Sequence, residues 1–257
     1  DLEDAVSPAE KDSARILVRN ALKSLHYKGC EIIIRINPVE TDYWTHDLDE
    51  IIPLKPNMIM PPKVSCAQDV KTVSEYITKL EEKCGFEKNT VKLIPLIETA
   101  MGVENAFQIA SADERVAALF LGGEDLTADL RCKRTKEGNE IFYARTRLVC
   151  AARACGVDVY DDIDGLYADA RFAKSLGFSG KASISPRHVE GINEVFSPTQ
   201  AEIDYAHEVM ETIRIAKEQG KGVVSLRGKM IDAPIVERAR QVIEMEKAMF
   251  GEVEDDE

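Results

Sequence analysis

Seven short apolar runs, each followed by a helical stretch or helical turn, constrain this chain more than any other feature. Residues 1–6 read as the end of a strand. Further strands are predicted over 31–37, 57–63, 91–98, 116–122, 157–161 and 180–185. Between them, helical spacing is predicted over 8–25, 47–55, 67–84, 102–112, 139–155 and 165–176. Pro8 suits a first helical turn, and Ile16, Leu17, Ala21, Leu22 and Leu25 recur at helical spacing. Runs such as Ile32-Ile33-Ile34 are continuously apolar rather than alternating, which indicates strands covered on both faces. A parallel sheet with helical crossovers is the architecture that satisfies this pattern. Seven visible repeats and one before Asp1 make eight. The expected fold is therefore α/β: a (β/α)8 TIM barrel lacking its first strand in this chain. An open doubly wound sheet is the alternative, but no Gly-rich dinucleotide or Walker motif is present.

The last quarter reads differently. Thr199 is a plausible N-cap for a long polar helix over 200–219. A glycine-punctuated stretch, Gly220 to Pro234, precedes a final helix reaching about Phe250. That stretch reads either as a lid or exchanged arm or as an ordinary surface hairpin. The expected division is a barrel over 1–198 and a C-terminal helical lid extension over 199–257.

Composition excludes several function classes. The net charge of −13 leaves no basic surface for nucleic acid or for an anionic membrane. No apolar run is long enough to span a bilayer. The six cysteines show no CxxC or Cys/His spacing and read as free thiols in a reducing compartment. The four histidines, His26, His46, His188 and His207, sit in no nucleophile or zinc motif. The expected location is cytoplasmic, with a targeting segment before Asp1 left open.

Two carboxylates carry the chemical signal. Glu98 closes the run Leu93-Ile94-Pro95-Leu96-Ile97, and Asp125 follows Leu119-Phe120-Leu121-Gly122-Gly123-Glu124. Parallel strands end on one face, so both acids would point into one pocket, where they could hold magnesium with waters and substrate oxygens. The competing reading makes each an N-cap of the following helix. Arg35, a charge inside an apolar run, is either a functional cation or a structural partner of Glu3 or Asp4.

Several segments, in order and across nearly the whole chain, resemble the citrate lyase β-subunit / malyl-CoA lyase family of HpcH/HpaI aldolase-like, magnesium-dependent carbon–carbon lyases. They are Asp1-Leu2-Glu3-Asp4-Ala5-Val6 with Lys11 and Arg15, Ile34-Arg35-Ile36-Asn37, Pro62-Lys63, Ile97-Glu98-Thr99, Gly123-Glu124-Asp125-Leu126, Arg134-Thr135 with Gly138, and Gly228-Lys229-Met230-Ile231-Asp232. Two departures stand out: the family's first strand with its Arg and Gly is absent, and Ser185-Pro186 replaces an Asn-Pro or His-Pro pair.

The resemblance implies a thioester substrate, carried by CoA or by an acyl-carrier protein. It also implies a homotrimer or hexamer, association with other citrate lyase subunits, and a lid that completes a neighbouring subunit's site. The implied reaction cleaves a 3-hydroxy-3-carboxyacyl thioester into a 2-oxo acid and a short acyl thioester. Citryl thioester, giving oxaloacetate and an acetyl thioester, is favoured; citramalyl-CoA and malyl-CoA, giving pyruvate or glyoxylate, stay open, as does a catalytically silent structural subunit. By resemblance Glu98 and Asp125 hold Mg2+, and Arg35 stabilises the thioester enolate. Asp232 in the lid supplies the proton, with helix capping before Pro234 as its rival role. Glu3 accepts hydrogen bonds from water around the metal. Gly122 and Gly123, with Glu124, border the substrate carboxylate, while Asp4 and Lys11 form a structural pair.

Overall fold

The computed structural model describes residues 1–27, 29–162, 167–183, 185–219 and 224–250. They fall into two compact units, Asp1–Ile192 and Asn193–Glu257.

The first unit is built on short parallel strands. They are β1 (Ile33–Arg35), β2 (Met58–Met60), β3 (Lys92–Leu93), β4 (Leu96–Ile97), β5 (Ala118–Gly122), β6 (Asp158–Asp162) and β7 (Gly180–Lys181). One sheet runs β1-β2-β3 and a second runs β4-β5-β6-β7, every pairing parallel. Pro95 explains the break between β3 and β4: it has no N–H, yet its carbonyl still accepts from Phe120. A parallel bridge between Leu93 and Val116 joins the two sheets into one array. Among the described residues no ladder joins β7 back to β1, so the expected barrel closure is not seen. Residues 1–6, read as a strand end, form a turn with one ladder-like bond, Leu2 N–H to the Arg35 carbonyl at 2.9 Å. Of the strand expected over 180–185, only Gly180 and Lys181 pair, and Ile184 lies outside the described residues.

Helices follow the strands as crossovers: α1 (Lys11–Ser24), α2 (Tyr43–Ile51), α3 (Ala67–Cys84), α4 (Ala100–Glu104), α5 (Ala106–Ala110), α6 (Gly123–Asp129), α7 (Phe142–Cys155), α8 (Tyr167–Leu176) and α9 (Val189–Phe196), the last spanning the unit boundary. The helix expected from residue 47 begins at Tyr43 instead. Tyr43, Trp44 and Thr45 are weak helix formers, and tertiary contacts such as the edge-on packing of Trp44 on Tyr76 outweigh propensity there. The helix expected over 102–112 starts at its cap, with the Thr99 hydroxyl accepting from Gly102 N–H at 3.0 Å, and is divided at Asn105. Helix α6 opens directly at Gly123, and α9 lies in a stretch for which no element was expected.

The core is the apolar filling of the strands and their helices: Ile34, Ile36, Ile59, Leu93, Leu119, Leu121 and Val159, with Val73, Ile77 and Leu148 over them. Three buried arginines clamp the layers together. Arg115 meets Glu81 at 2.8 Å, Arg15 meets Asp47 at 2.9 Å, and Arg145 reaches both Asp161 and Asp169. Glu81 also accepts the backbone N–H groups of Asn89 and Val91, so that buried charge is both paired and solvated by the chain.

The second unit holds α10 (Gln200–Glu218), the antiparallel hairpin β8 (Val224–Leu226) and β9 (Lys229–Ile231), and α11 (Ala233–Phe250). Thr199 and Glu202 form a reciprocal capping box at the start of α10. Arg227 and Gly228 both take positive φ (49° and 77°), the geometry of a two-residue type I′ hairpin turn. Ala206, Val209, Ile231 and Ala239 form the core of this unit. No helix among the described residues is long and apolar enough to cross a membrane.

Candidate active site

The C-terminal ends of the parallel strands bring the charged residues together. Arg35 is the last residue of β1, Lys63 follows β2 beyond two prolines, Glu98 follows β4, and Asp125 lies in the first turn of α6 past β5. Glu3 joins them from the turn before α1.

Glu98 is 4% exposed, and its Oε1 accepts the Lys63 backbone N–H at 2.8 Å. Burial raises its carboxyl pKa to about 7; the Asp125 and Glu3 charges push the same way, and the Lys63 backbone hydrogen bond opposes them. Gly122 is needed here for room: a Cβ would lie 2.7 Å from Glu98 Oε2. At Gly123 a Cβ would come within 3.1 Å of the Asp162 carbonyl. Asp125 is half-exposed, with Oδ2 3.8 Å from Lys63 Nζ.

Glu3 is buried between two cations, with Oε1 3.0 Å from Lys63 Nζ and Oε2 3.2 Å from Arg35 Nη1. Neither oxygen makes a well-directed hydrogen bond within the described residues. Arg35 turns its fork toward Asp1 instead, Nε to Oδ1 at 2.8 Å and Nη2 to Oδ2 at 2.6 Å. Its structural partners are therefore Glu3 and Asp1, not Asp4. The expected Asp4–Lys11 pair is not formed. Lys11 Nζ is buried and donates to the Leu2 and Glu3 carbonyls at 2.8 and 2.7 Å, fixing the turn that presents Glu3. Asp4 lies 3.6 Å from Lys63 Nζ.

Lys63 is the residue that the sequence reading passed over. It appeared only as half of Pro62-Lys63, yet its backbone and side chain touch four acidic groups. The available signal was a cation just after an apolar strand, as at Arg35. A cavity of about 350 Å3 adjoins it, lined in part by Glu3, Asp4, Asn37, Thr41 and Tyr43.

Two other expected residues have partners of their own. Glu124 is exposed and paired with Arg134 Nε at 3.2 Å, and Arg134 also holds Glu140. Asp232 belongs to the second unit, where it is exposed and accepts the Ile235 N–H at 3.1 Å, capping α11.

No group of three or more His, Cys, Asp or Glu side chains converges on a metal position among the described residues. The donor set nevertheless suits a hard divalent ion. Glu98 and Asp125 are all-oxygen donors, and Glu98 is buried beside the negative charges of Asp125 and Glu3, which Lys63 opposes through its charge and its backbone N–H.

The chain is similar to known proteins along most of its length. It is 40% identical to a citrate lyase subunit beta of Haemophilus influenzae, over 98% of this chain and 89% of that protein. It is 30% identical to a mitochondrial citramalyl-CoA lyase of Mus musculus, over 95% of this chain and 77% of that protein. A solved citrate lyase beta subunit from M. tuberculosis, complexed with oxaloacetate and magnesium, superposes with a TM-score of 0.63 at 26% identity, covering 77% of this chain and 85% of that one. The family profile for HpcH/HpaI aldolase/citrate lyase matches residues 1–186, and with these relatives it establishes that the chain belongs to that family.

Proposed function

We propose that this chain is a magnesium-dependent carbon–carbon lyase that cleaves citryl thioester to oxaloacetate and an acetyl thioester. The observation that carries the reading is the placement of Glu98 and Asp125 at adjacent strand ends, close enough for Asp125 to raise the Glu98 pKa. These two carboxylates would hold Mg2+, which when bound supplies Lewis-acid polarisation of the substrate hydroxyl and its neighbouring carboxylate.

The remaining work falls to the chain. Cleavage leaves negative charge on the thioester oxygen, which the Arg35 guanidinium would stabilise. Its Nε and Nη2 are now given to half-exposed Asp1, so that pairing would yield to substrate while Glu3 keeps hold of Nη1. Glu3 thus orients Arg35 and Lys63 together. Gly122 leaves space for the Glu98 carboxylate, and Gly123 keeps the backbone of α6 close to the end of β6. Asp232 would deliver a proton to the enolate carbon in a neighbouring subunit's site, with residues 199–257 acting as that site's lid, after release from its capping role.

Around this site the reading includes a (β/α)8 barrel and homotrimeric or hexameric assembly in the cytoplasm. It also includes a CoA or acyl-carrier-protein thioester, with other citrate lyase subunits as partners. The similarity to a citramalyl-CoA lyase supports a second reading, cleavage of citramalyl-CoA or malyl-CoA to pyruvate or glyoxylate. One assay separates the two: 2-oxo acid release from citryl-, citramalyl- and malyl-CoA, with magnesium and with EDTA. Magnesium-dependent oxaloacetate release supports the first reading. Pyruvate or glyoxylate alone supports the second, and a metal-independent rate refutes the metal assignment.

A further inference from the structure

Lys63 departs from an ordinary surface lysine in three ways. Its ammonium has three carboxylate neighbours, Glu3 at 3.0 Å, Asp4 at 3.6 Å and Asp125 at 3.8 Å. Its backbone N–H is given to Glu98. One residue therefore grips both assigned metal ligands, Glu98 through the main chain and Asp125 through the side chain. It also sits at φ 55°, a left-handed conformation that costs a non-glycine residue energy and that proteins retain where the surroundings require it.

The surroundings do require it. Pro61 and Pro62 end β2, and the chain then runs beside β4, with Val64 N–H donating to the Leu96 carbonyl at 3.2 Å. Only a sharp reversal at Lys63 lets its N–H face Glu98 while its side chain reaches back to Glu3. Glu3 is itself fixed, since Lys11 anchors its carbonyl. The ammonium is thus held by a buried acid on one side and lies within reach of a metal ligand on the other.

We propose that Lys63 is a built-in counter-cation of the divalent-metal site: it neutralises the carboxylate cluster before metal arrives and gives up Asp125 when metal binds. This rests on the assignment of Glu98 and Asp125 as metal ligands. Without such a cation, Glu3, Asp4, Glu98 and Asp125 would repel one another in the metal-free chain, and the pocket would have to open. With it, the ligands are assembled in advance. The consequence is weaker metal binding, because the arriving ion meets a positive charge at contact distance from Asp125. A unit charge that close to a divalent ion, partly in water, weakens binding by about an order of magnitude or more. Lys63 is therefore a positioning residue that exchanges metal affinity for a pre-formed site.

The test is magnesium titration of the metal-stripped chain by calorimetry, for wild type, Lys63→Met and Lys63→Arg. The expected result is magnesium binding about tenfold or more tighter in Lys63→Met, with a lower melting temperature in EDTA. Lys63→Arg, which keeps the charge, should stay within about threefold of wild type. Affinity in Lys63→Met that is unchanged or weaker overturns the proposal. Equal tightening in both variants also overturns it, because the cause would then be backbone strain and not charge.

Amine labelling of wild type needs no variant to fold. Lys63 acetylation by acetic anhydride, read by mass spectrometry against Lys55, should rise about threefold or more on adding magnesium. No change, or protection, counts against the proposal. Wild-type protein that binds no magnesium would sink the metal assignment and this inference with it; wild-type binding with unaltered variants would sink this inference alone.

Discussion

Replacing Glu98 by Gln should stabilise the metal-free protein and remove its response to magnesium. The folded chain raises the Glu98 pKa from 4.5 to about 7, chiefly by burial, so it holds that proton more tightly than the unfolded chain does. The sign follows from linkage. The group favours folding most below pH 4.5, where it is protonated in both states, and that contribution is lost as pH rises through about 7. At about 1.4 kcal/mol per pH unit, the ionised side chain costs about 3 kcal/mol in the alkaline limit. Gln carries no such charge, and its amide oxygen can still accept the Lys63 N–H that Glu98 Oε1 now receives. The assay is urea unfolding in EDTA for both proteins. The advantage of Glu98→Gln should grow by about 2 kcal/mol between about pH 5.5 and about pH 8. Its melting temperature at the upper pH should be roughly 5–10 °C higher. Saturating magnesium should reverse the order, because only the carboxylate gains from the ion. A stability difference that is flat with pH, or a Gln variant weaker than wild type in EDTA at high pH, would refute the reasoning.

Other outcomes follow from the same geometry. Asp125→Asn should cut magnesium-dependent turnover by about a hundredfold or more while leaving EDTA stability near wild type, since that side chain is half-exposed. Asp232→Asn should halt cleavage but leave calorimetric magnesium binding intact; its capping of α11 survives because the amide oxygen still accepts from Ile235. Arg115→Met should cost about 3–5 kcal/mol in urea unfolding, because it strands the fully buried Glu81 carboxylate.

The layer architecture was legible locally. Continuous apolar runs separated by helical periods demand a parallel sheet with crossovers; β1, β2 and β5 lie within the runs expected for them, and β6 passes the end of its run by one residue, Asp162. Caps were legible too: Thr199 carries both its own hydroxyl acceptor and Glu202 within one turn, so nothing distant is needed to start α10. Where the period was weak, propensity failed, as at Tyr43–His46, whose helical state depends on packing supplied by α3.

For the site, the sequence by itself determined which acids end strands: Glu98 and Asp125 follow apolar runs, and strand polarity sends both to one face. Only the tertiary structure decided what those acids meet. Arg35 chooses Asp1 and Glu3, Lys11 chooses two carbonyls over Asp4, and Lys63 stands among the acids. The reason is range. Helix periods, caps and hairpin turns are set by residues a few positions apart, whereas an ion pair between Lys63 and Asp125 depends on the pairing of β2 with β3 and of β4 with β5. The raised pKa of Glu98 is likewise a property of the packed interior, where low polarity and neighbouring charges act together, and no linear pattern encodes it.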